Sequence, residues 1–192
     1  MLNAKRNGKL FVVSSPSGGG KTTLSNRLLS DGLGLARSVS MTTRRPRPGE
    51  RNGVDYYFVT PARFRAIIKK NGFMEYENNF GNMYGTPKKL LEDCVRKGRP
   101  LLLDVDVKGA LNIKKAYPDE SVLIFILPPT ITELKRRLRF RKSEDAATMK
   151  RRLDLAKKEM ARKNRYDYRI VNDDLERAYR RLKKIILSEM DN

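Results

Sequence analysis

Apolar residues fall along this chain in short dense runs and in helically spaced stripes, and the two kinds of segment alternate. Residues 9–14 (KLFVVS) form a β-branched run closed by a Ser/Pro/Gly cluster, which predicts a buried strand. Residues 22–29 then predict a helix. Residues 36–41 and 54–59 predict strands separated by a Pro/Arg/Gly-rich loop. Thr60 before Pro61 reads as an N-cap with proline in the first helical position, and Phe64, Ile67 and Ile68 share one face behind it. Thr86 and Pro87 repeat that signal for a helix through about Arg96. Residues 100–105 (PLLLDV) predict a second buried strand with an acidic residue at its C-terminal end. Ser121–Leu127 (SVLIFIL) predicts a third, stopped by Pro128 and Pro129. Helical, very basic sequence runs from Ile131 to about Arg165. Tyr168–Val171 predicts a last short strand. Asn172 and Asp173 then open a closing helix, with Leu175, Ala178, Tyr179, Leu182, Ile185 and Ile186 at helical spacing.

Strands alternating with helices predict an α/β fold with a central parallel sheet flanked by helices. The β-rich stretch 39–85 breaks the alternation and reads as an inserted lobe. A length of 192 residues suits one domain with a substantial core, or a core carrying small lobes. No apolar run approaches the roughly 18 residues of a membrane span. Residues 1–9 start basic but lack the apolar stretch and cleavage site of a signal peptide. Cys94 is the only cysteine, so neither a disulfide framework nor a cysteine metal site is expected. Together these features predict a cytoplasmic protein with no membrane partner.

Charge and one missing residue type narrow the chemistry. The 42 Lys and Arg outnumber the 22 Asp and Glu, for a net charge of +20. Such a surface suits nucleic acid, an anionic membrane or small polyanions such as nucleotides, and charge alone does not choose among them. There is no histidine. The commonest general base and the commonest transition-metal ligand are therefore absent. Any chemistry must rest on carboxylates, basic groups, hydroxyls, backbone amides or a bound hard cation.

The strongest local motif is Ser14-Ser15-Pro16-Ser17-Gly18-Gly19-Gly20-Lys21-Thr22-Thr23, between a predicted strand and a predicted helix. That is the context of a phosphate-binding loop. Glycines let the backbone curl so that successive N–H groups face inward, and the helix adds its positive N-terminus. Lys21 is expected to reach the β- and γ-phosphates of ATP, and the Thr22 hydroxyl to ligate Mg²⁺. Ser15 stands where the motif usually has its first glycine, and a positive φ there would be strained. The bland alternative is a glycine-rich turn before a helix.

Further motifs follow in order: Ser40-Met41-Thr42-Thr43-Arg44-Arg45-Pro46-Arg47-Pro48-Gly49-Glu50, Asn52-Gly53-Val54-Asp55-Tyr56, Phe73-Met74-Glu75-Tyr76, Gly81-Asn82-Met83-Tyr84-Gly85-Thr86, Asp104-Val105-Asp106 and Ile170-Val171-Asn172-Asp173. With the phosphate loop, this ordered set resembles guanylate kinase along nearly the whole chain. The resemblance implies a P-loop kinase that phosphorylates GMP with ATP, a step of purine nucleotide metabolism and GMP recycling. It implies a core of residues 1–38, 86–130 and 164–192, a GMP-binding lobe of 39–85, and a helical lid region of 131–163. Arg44, Arg47, Tyr56 and Tyr84 are implied to hold the GMP phosphate, which suits arginine forks and phenol donors. Ser40, Glu75 and Thr86 are implied to read guanine, whose N1–H and 2-amino group a carboxylate can accept together. Asp104 and Asp106 resemble the family's acidic pair near the acceptor and the metal.

The resemblance also makes Arg137, Arg141 and Arg152 arginines of the lid, which neutralise the transferring phosphoryl and exclude water. Lys21 and Arg44 complete the implied catalytic set. Phe140-Arg141-Lys142 stands where the family usually has Gly-Arg-Gly. Asn172 resembles an adenine-contacting asparagine. Each residue also has a plainer reading: Thr86 as an N-cap, Glu75 as a solvated strand residue, Arg44 and Arg47 as surface charge, Tyr56 and Tyr84 as packing aromatics, Asn172 as a helix start. Other functional classes stay open at this point: another nucleoside-monophosphate kinase, a non-catalytic binding module of the same fold, or a nucleic-acid binder. No specific nucleic-acid signature is present, and weak salt-sensitive binding is compatible with the charge.

Overall fold

A computed structural model of the chain describes residues 8–79, 81–139 and 146–191. Two sheets organise them. The first is five-stranded, in the order β2 (Ala36–Arg37), β7 (Leu101–Asp104), β1 (Leu10–Ser14), β8 (Ser121–Leu127) and β9 (Tyr168–Val171). Every pairing in it is parallel. Its central strands are apolar except at their ends (Ser14, Asp104 and Ser121), because helices cover both faces and neither side of the pleat meets water. Leu10 and Val12 point to one layer, with Leu91 of α3 (Lys88–Arg96) and Val107, Ala110 and Ile113 of α4 (Val107–Ala116). Phe11 and Val13 point to the other, with Leu24 and Leu28 of α1 (Lys21–Ser30) and Ala178, Leu182 and Ile186 of α7 (Leu175–Asp191). The period of two along β1 thus feeds two separate hydrophobic layers.

The second sheet has the order β4 (Tyr57–Phe58), β3 (Met41–Thr42), β6 (Asn82–Pro87) and β5 (Phe73–Asn79). Its strands run antiparallel except for the β3–β4 pair. α2 (Pro61–Lys69) covers it through Phe64, whose ring stacks on Phe73 with centroids 4.4 Å apart. Gly85 makes room for that stack, because a Cβ there would lie 2.8 Å from the Phe73 ring. α5 (Ile131–Arg139) and α6 (Ala146–Met160) pack together through Leu134, Leu138 and Ala156.

Three local expectations change, and one helix is added. The single strand expected at 36–41 divides: β2 belongs to the parallel sheet and β3 to the second sheet, with the chain crossing at residues 38–40. Thr86 caps no helix. It is the fifth residue of β6, fully buried, and α3 begins after Pro87 with no side-chain cap. Helix α4 was not anticipated, although Val107, Ala110 and Ile113 fall at helical spacing. The closing helix is capped by Asp174, which accepts from the Arg177 N–H at 2.8 Å, and not by Asn172 or Asp173. Phe140, Arg141 and Lys142 lie outside the described residues.

Candidate active site

At the C-terminal end of β1 the chain makes its glycine-rich turn into α1, at the edge where open parallel sheets present ligand-binding groups. Gly18 and Gly20 take positive φ, 88° and 97°. Ser15 does not: Asn71 is the one non-glycine residue with positive φ among those described. Replacing the usual first glycine by serine therefore brings no backbone strain. The Ser15 hydroxyl donates to the Pro16 carbonyl at 3.1 Å, and the Gly19 N–H donates to the same carbonyl at 2.8 Å.

The loop is also held from behind. Asn172 is buried at the end of β9, its N–H paired with the Leu127 carbonyl at 2.8 Å. Its side-chain amide donates to the Gly19 carbonyl at 2.9 Å. A Cβ on Gly20 would lie 2.1 Å from that same Nδ2, so glycine is required there twice over, by contact and by φ. Arg137 of α5 donates to the Asn172 carbonyl at 3.0 Å and to Glu133 at 2.8 Å. Lys21 Nζ reaches the Val105 carbonyl at 3.4 Å, and Thr22 and Thr23 are exposed at the helix start.

Opposite the loop stands a group of carboxyls. Asp104 Oδ1 accepts from buried Ser25 of α1 at 2.6 Å, and Arg37 approaches its Oδ2 at 3.7 Å. Asp106 caps α4, accepting from the Gly109 N–H at 2.7 Å. Glu75 of β5 accepts from the Thr86 hydroxyl at 2.5 Å. Burial pushes the Glu75 carboxyl up to about 7; Asp106 adds to the rise, while the Thr86 bond, Lys21 and Lys108 pull the other way. Glu77, two residues on, is raised by its bonding to Asp106 and by burial, with Lys108 at 3.7 Å opposing. Glu159 of α6 is also raised to about 7, by burial and then by Asp106, against Lys21. Strands of the second sheet, the start of α4 and the end of α6 thus converge on Asp106 and Lys21.

Farther along the second sheet lies a basic and aromatic group. Arg44 Nη2 donates to both Glu50 carboxylate oxygens, at 2.8 and 2.9 Å, and Nη1 donates to the Arg45 carbonyl at 2.6 Å. Both side chains of the pair are largely shielded, 13% and 19% exposed. The Arg44 guanidinium lies 5.5 Å from the Tyr56 ring centroid, and Tyr56 meets Tyr84 edge-on at 6.0 Å. Burial raises the Tyr56 phenol. Arg47 and Arg45 are exposed, and the Arg47 N–H donates to Glu50 at 2.7 Å. Ser40 is half-buried in the crossing between sheets, its carbonyl accepting from Tyr57 at 2.9 Å. Arg152 is half-buried on α6.

The structure brings Lys21, Glu75, Thr86 and Asp106 together, and separately Arg44, Tyr56 and Tyr84. Arg141 lies outside the described residues. Sequence reading missed Glu50, Glu77, Glu159 and Gly109. Glu77 carried a signal, since it follows Glu75 at the two-residue period of one strand face. Glu159 carried none, sitting in a long run of charged helix.

Comparisons with known proteins agree on one family. A family model described as guanylate kinase matches residues 7–189. A guanylate kinase of Wolbachia pipientis wMel is 44% identical over 188 residues, covering 98% of this chain and 94% of that protein. One from Syntrophotalea carbinolica is 47% identical over 185 residues, covering 96% and 88%. The crystal structure of guanylate kinase from Anaplasma phagocytophilum matches with a TM-score of 0.81 at 37% identity, covering 98% of this chain and 89% of that one.

Proposed function

The chain belongs to the guanylate kinase family, and we propose that it phosphorylates GMP with ATP, the phosphate loop serving the donor and the four-stranded lobe the acceptor. One juxtaposition supports this division most: the Glu75–Thr86 pair of the lobe lies within electrostatic reach of Lys21 in the phosphate loop.

Lys21 serves the β- and γ-phosphates, with the loop N–H groups of residues 14–23 and the start of α1 adding positive potential. Asn172 fixes the loop through Gly19 in this reading, and adenine contact is a second task for it. Mg²⁺ fits the donor set: the exposed Thr22 hydroxyl is a hard oxygen ligand beside the lysine. Among the described residues no group of three acidic, Cys or His side chains is placed to hold a metal, so the ion would arrive with the nucleotide, which supplies the other oxygens. When bound, it supplies charge neutralisation on the phosphates.

On the acceptor side Arg44, Arg47, Tyr56 and Tyr84 hold the GMP phosphate. Glu75, Thr86 and Ser40 read the base, with Asp104 and Asp106 behind them. Arg137, Arg141 and Arg152 neutralise the transferring phosphoryl. Catalysis is then positioning and electrostatic stabilisation of a loose transition state. The acceptor phosphate is already largely ionised at neutral pH, so the chain needs no histidine base. No helix among the described residues is long and apolar enough to cross a membrane, and the cytoplasm is the proposed location. Binding of nucleic acid through the +20 charge would be weak, non-specific and salt-sensitive.

An ADP-release assay with GMP, AMP, UMP and CMP as acceptors tests the reading. GMP should be preferred strongly, and Glu75→Gln should lower kcat/KM for GMP by about tenfold or more while ATP binding stays near wild type. Equal use of AMP and GMP by the unaltered protein, or unchanged GMP kinetics in Glu75→Gln, defeats the guanine assignment.

A further inference from the structure

The first turn of α4 lies directly against the carboxyl proposed to read guanine. Gly109, the third residue of that helix, is buried. A Cβ built on it would lie 2.9 Å from Glu75 Cδ, 3.0 Å from Oε2 and 3.1 Å from Cγ. All three nearest atoms belong to Glu75, although 34 residues separate the two positions (109 − 75). The space an alanine methyl would fill at position 109 is taken by the Glu75 carboxyl.

Nothing in the backbone asks for glycine here. Gly109 is helical and is not among the glycines with positive φ. Its N–H bond to Asp106 is made by the backbone and would remain with alanine at this position. Alanine has the higher helix propensity, so glycine at this position works against α4 by itself. The feature that glycine does serve is the close approach of Glu75.

We propose that Gly109 is a specificity-determining residue: its missing side chain lets the Glu75 carboxyl lie on the first turn of α4, aimed at the guanine base. The Thr86 hydroxyl then holds Oε1, and the empty side-chain position of Gly109 leaves the room that Oε2 occupies. The inference rests on the proposed guanine-reading role of Glu75. Gly109 is a positioning residue, acting through Glu75 without touching the nucleotide.

The same geometry says how a methyl would be accommodated. The atoms in its way are the far end of a flexible side chain, so the backbone need not move. Glu75 would rotate aside, α4 would gain helix propensity, and the group that selects the base would be misaligned. Stability and base recognition should therefore part company in Gly109→Ala.

The experiment uses the full chain as wild type, Gly109→Ala, Glu75→Gln, Glu75→Asp and the double variant Gly109→Ala/Glu75→Asp. Gly109→Ala should unfold at the wild-type temperature or above. Its KM for GMP should rise about tenfold or more, its KM for ATP should stay within about twofold, and its preference for GMP over AMP should narrow. Aspartate at 75 withdraws the carboxyl by one methylene, so adding Gly109→Ala to Glu75→Asp should cost far less than adding it to wild type. Wild-type GMP kinetics in Gly109→Ala, alongside impaired Glu75→Gln, overturns the role of Gly109 and leaves the guanine reading intact. A lower unfolding temperature with equal losses for both nucleotides makes Gly109 a packing glycine and also overturns it. Unaltered GMP kinetics in Glu75→Gln removes the guanine reading, and this inference with it.

Discussion

In the turn between β1 and α1, the groups proposed to face the donor are fixed largely through the main chain. Asn172 holds the Gly19 carbonyl, the Gly19 N–H holds Pro16, and Lys21 rests on the Val105 carbonyl. In the four-stranded lobe, the groups proposed to face the acceptor are paired with other side chains: Arg44 with Glu50, Glu75 with Thr86, Glu77 with Asp106. The loop is built on a sheet whose central strands are buried on both faces, while the lobe is a small sheet with two-residue strands and several exposed side chains. A preformed main-chain cradle costs little reorganisation when an anion arrives. A phosphate entering the lobe has to share or replace the Arg44–Glu50 pair, so acceptor binding should be the step that is sensitive to charge and pH.

The largest expected effect comes from the donor side. Lys21→Ala should lower kcat by about 10²-fold or more, since a charge aimed at the phosphates disappears from a preformed site. The lysine makes one long bond to protein, 3.4 Å to the Val105 carbonyl, and sets its charge against Glu75 and Glu159, which stay largely protonated when it is gone, so thermal unfolding should change little. Near-normal turnover by the folded variant would break the assignment of the loop.

Next comes Arg44→Ala, which removes charge-assisted bonds worth about 1.5–3 kcal/mol, or roughly 10- to 150-fold in affinity. The loss should fall on GMP and spare ATP; isothermal titration with each nucleotide checks this. Equal losses for both would erase the distinction between the two regions. Arg47→Ala should act in the same direction, without the packing loss, because Arg47 is exposed.

Asn172→Ala tests whether the loop really depends on being held from behind. It leaves the Gly19 carbonyl without its partner, at a cost of about 1–3 kcal/mol. The unfolding temperature should drop and KM for ATP should rise, with KM for GMP unchanged. A loop that tolerates the change in both measurements is not braced by Asn172.

The smallest effect is electrostatic. Glu75 and Glu159 keep their protons up to about pH 7 when folded, against the usual 4.5. Glu77 is shifted in the same direction. Between those values the folded protein holds protons that the unfolded chain has released, so stability should fall as pH rises from about 4.5 to about 7. Glu77→Gln removes one such group while an amide can still donate to Asp106, and should flatten the decline of unfolding temperature across that window. An identical slope in wild type and variant would show that Glu77 takes no part in it.

Several features were legible in the residues because their causes are local. Ser121–Leu127 and Tyr168–Val171 were read to the residue, since continuous apolar or β-branched runs between breakers leave no other strand boundary. Thr60 and Pro61 started α2 as expected, with the Thr60 hydroxyl accepting from the Arg63 N–H at 3.2 Å. The same Thr-Pro signal failed at Thr86 because cross-strand pairing with Glu75 claimed the residue for β6. Propensity near a proline is worth about 1 kcal/mol, and burial of a whole strand outweighs it.

The sequence by itself determined the α/β alternation, the glycine-rich phosphate loop, the ordered motifs of the family and a chemistry without histidine. Each of these is written in neighbouring residues or in a short period. Tertiary structure decided that residues 36–41 serve two sheets, that Asn172 braces a loop 153 positions away, and that Glu75, Glu77 and Glu159 meet Asp106 and Lys21. It also decided why Gly109 of α4 is glycine, since the atoms that fill its side-chain space come from Glu75 of β5. Contacts between distant segments depend on how layers pack, and packing leaves no periodic trace in either segment alone.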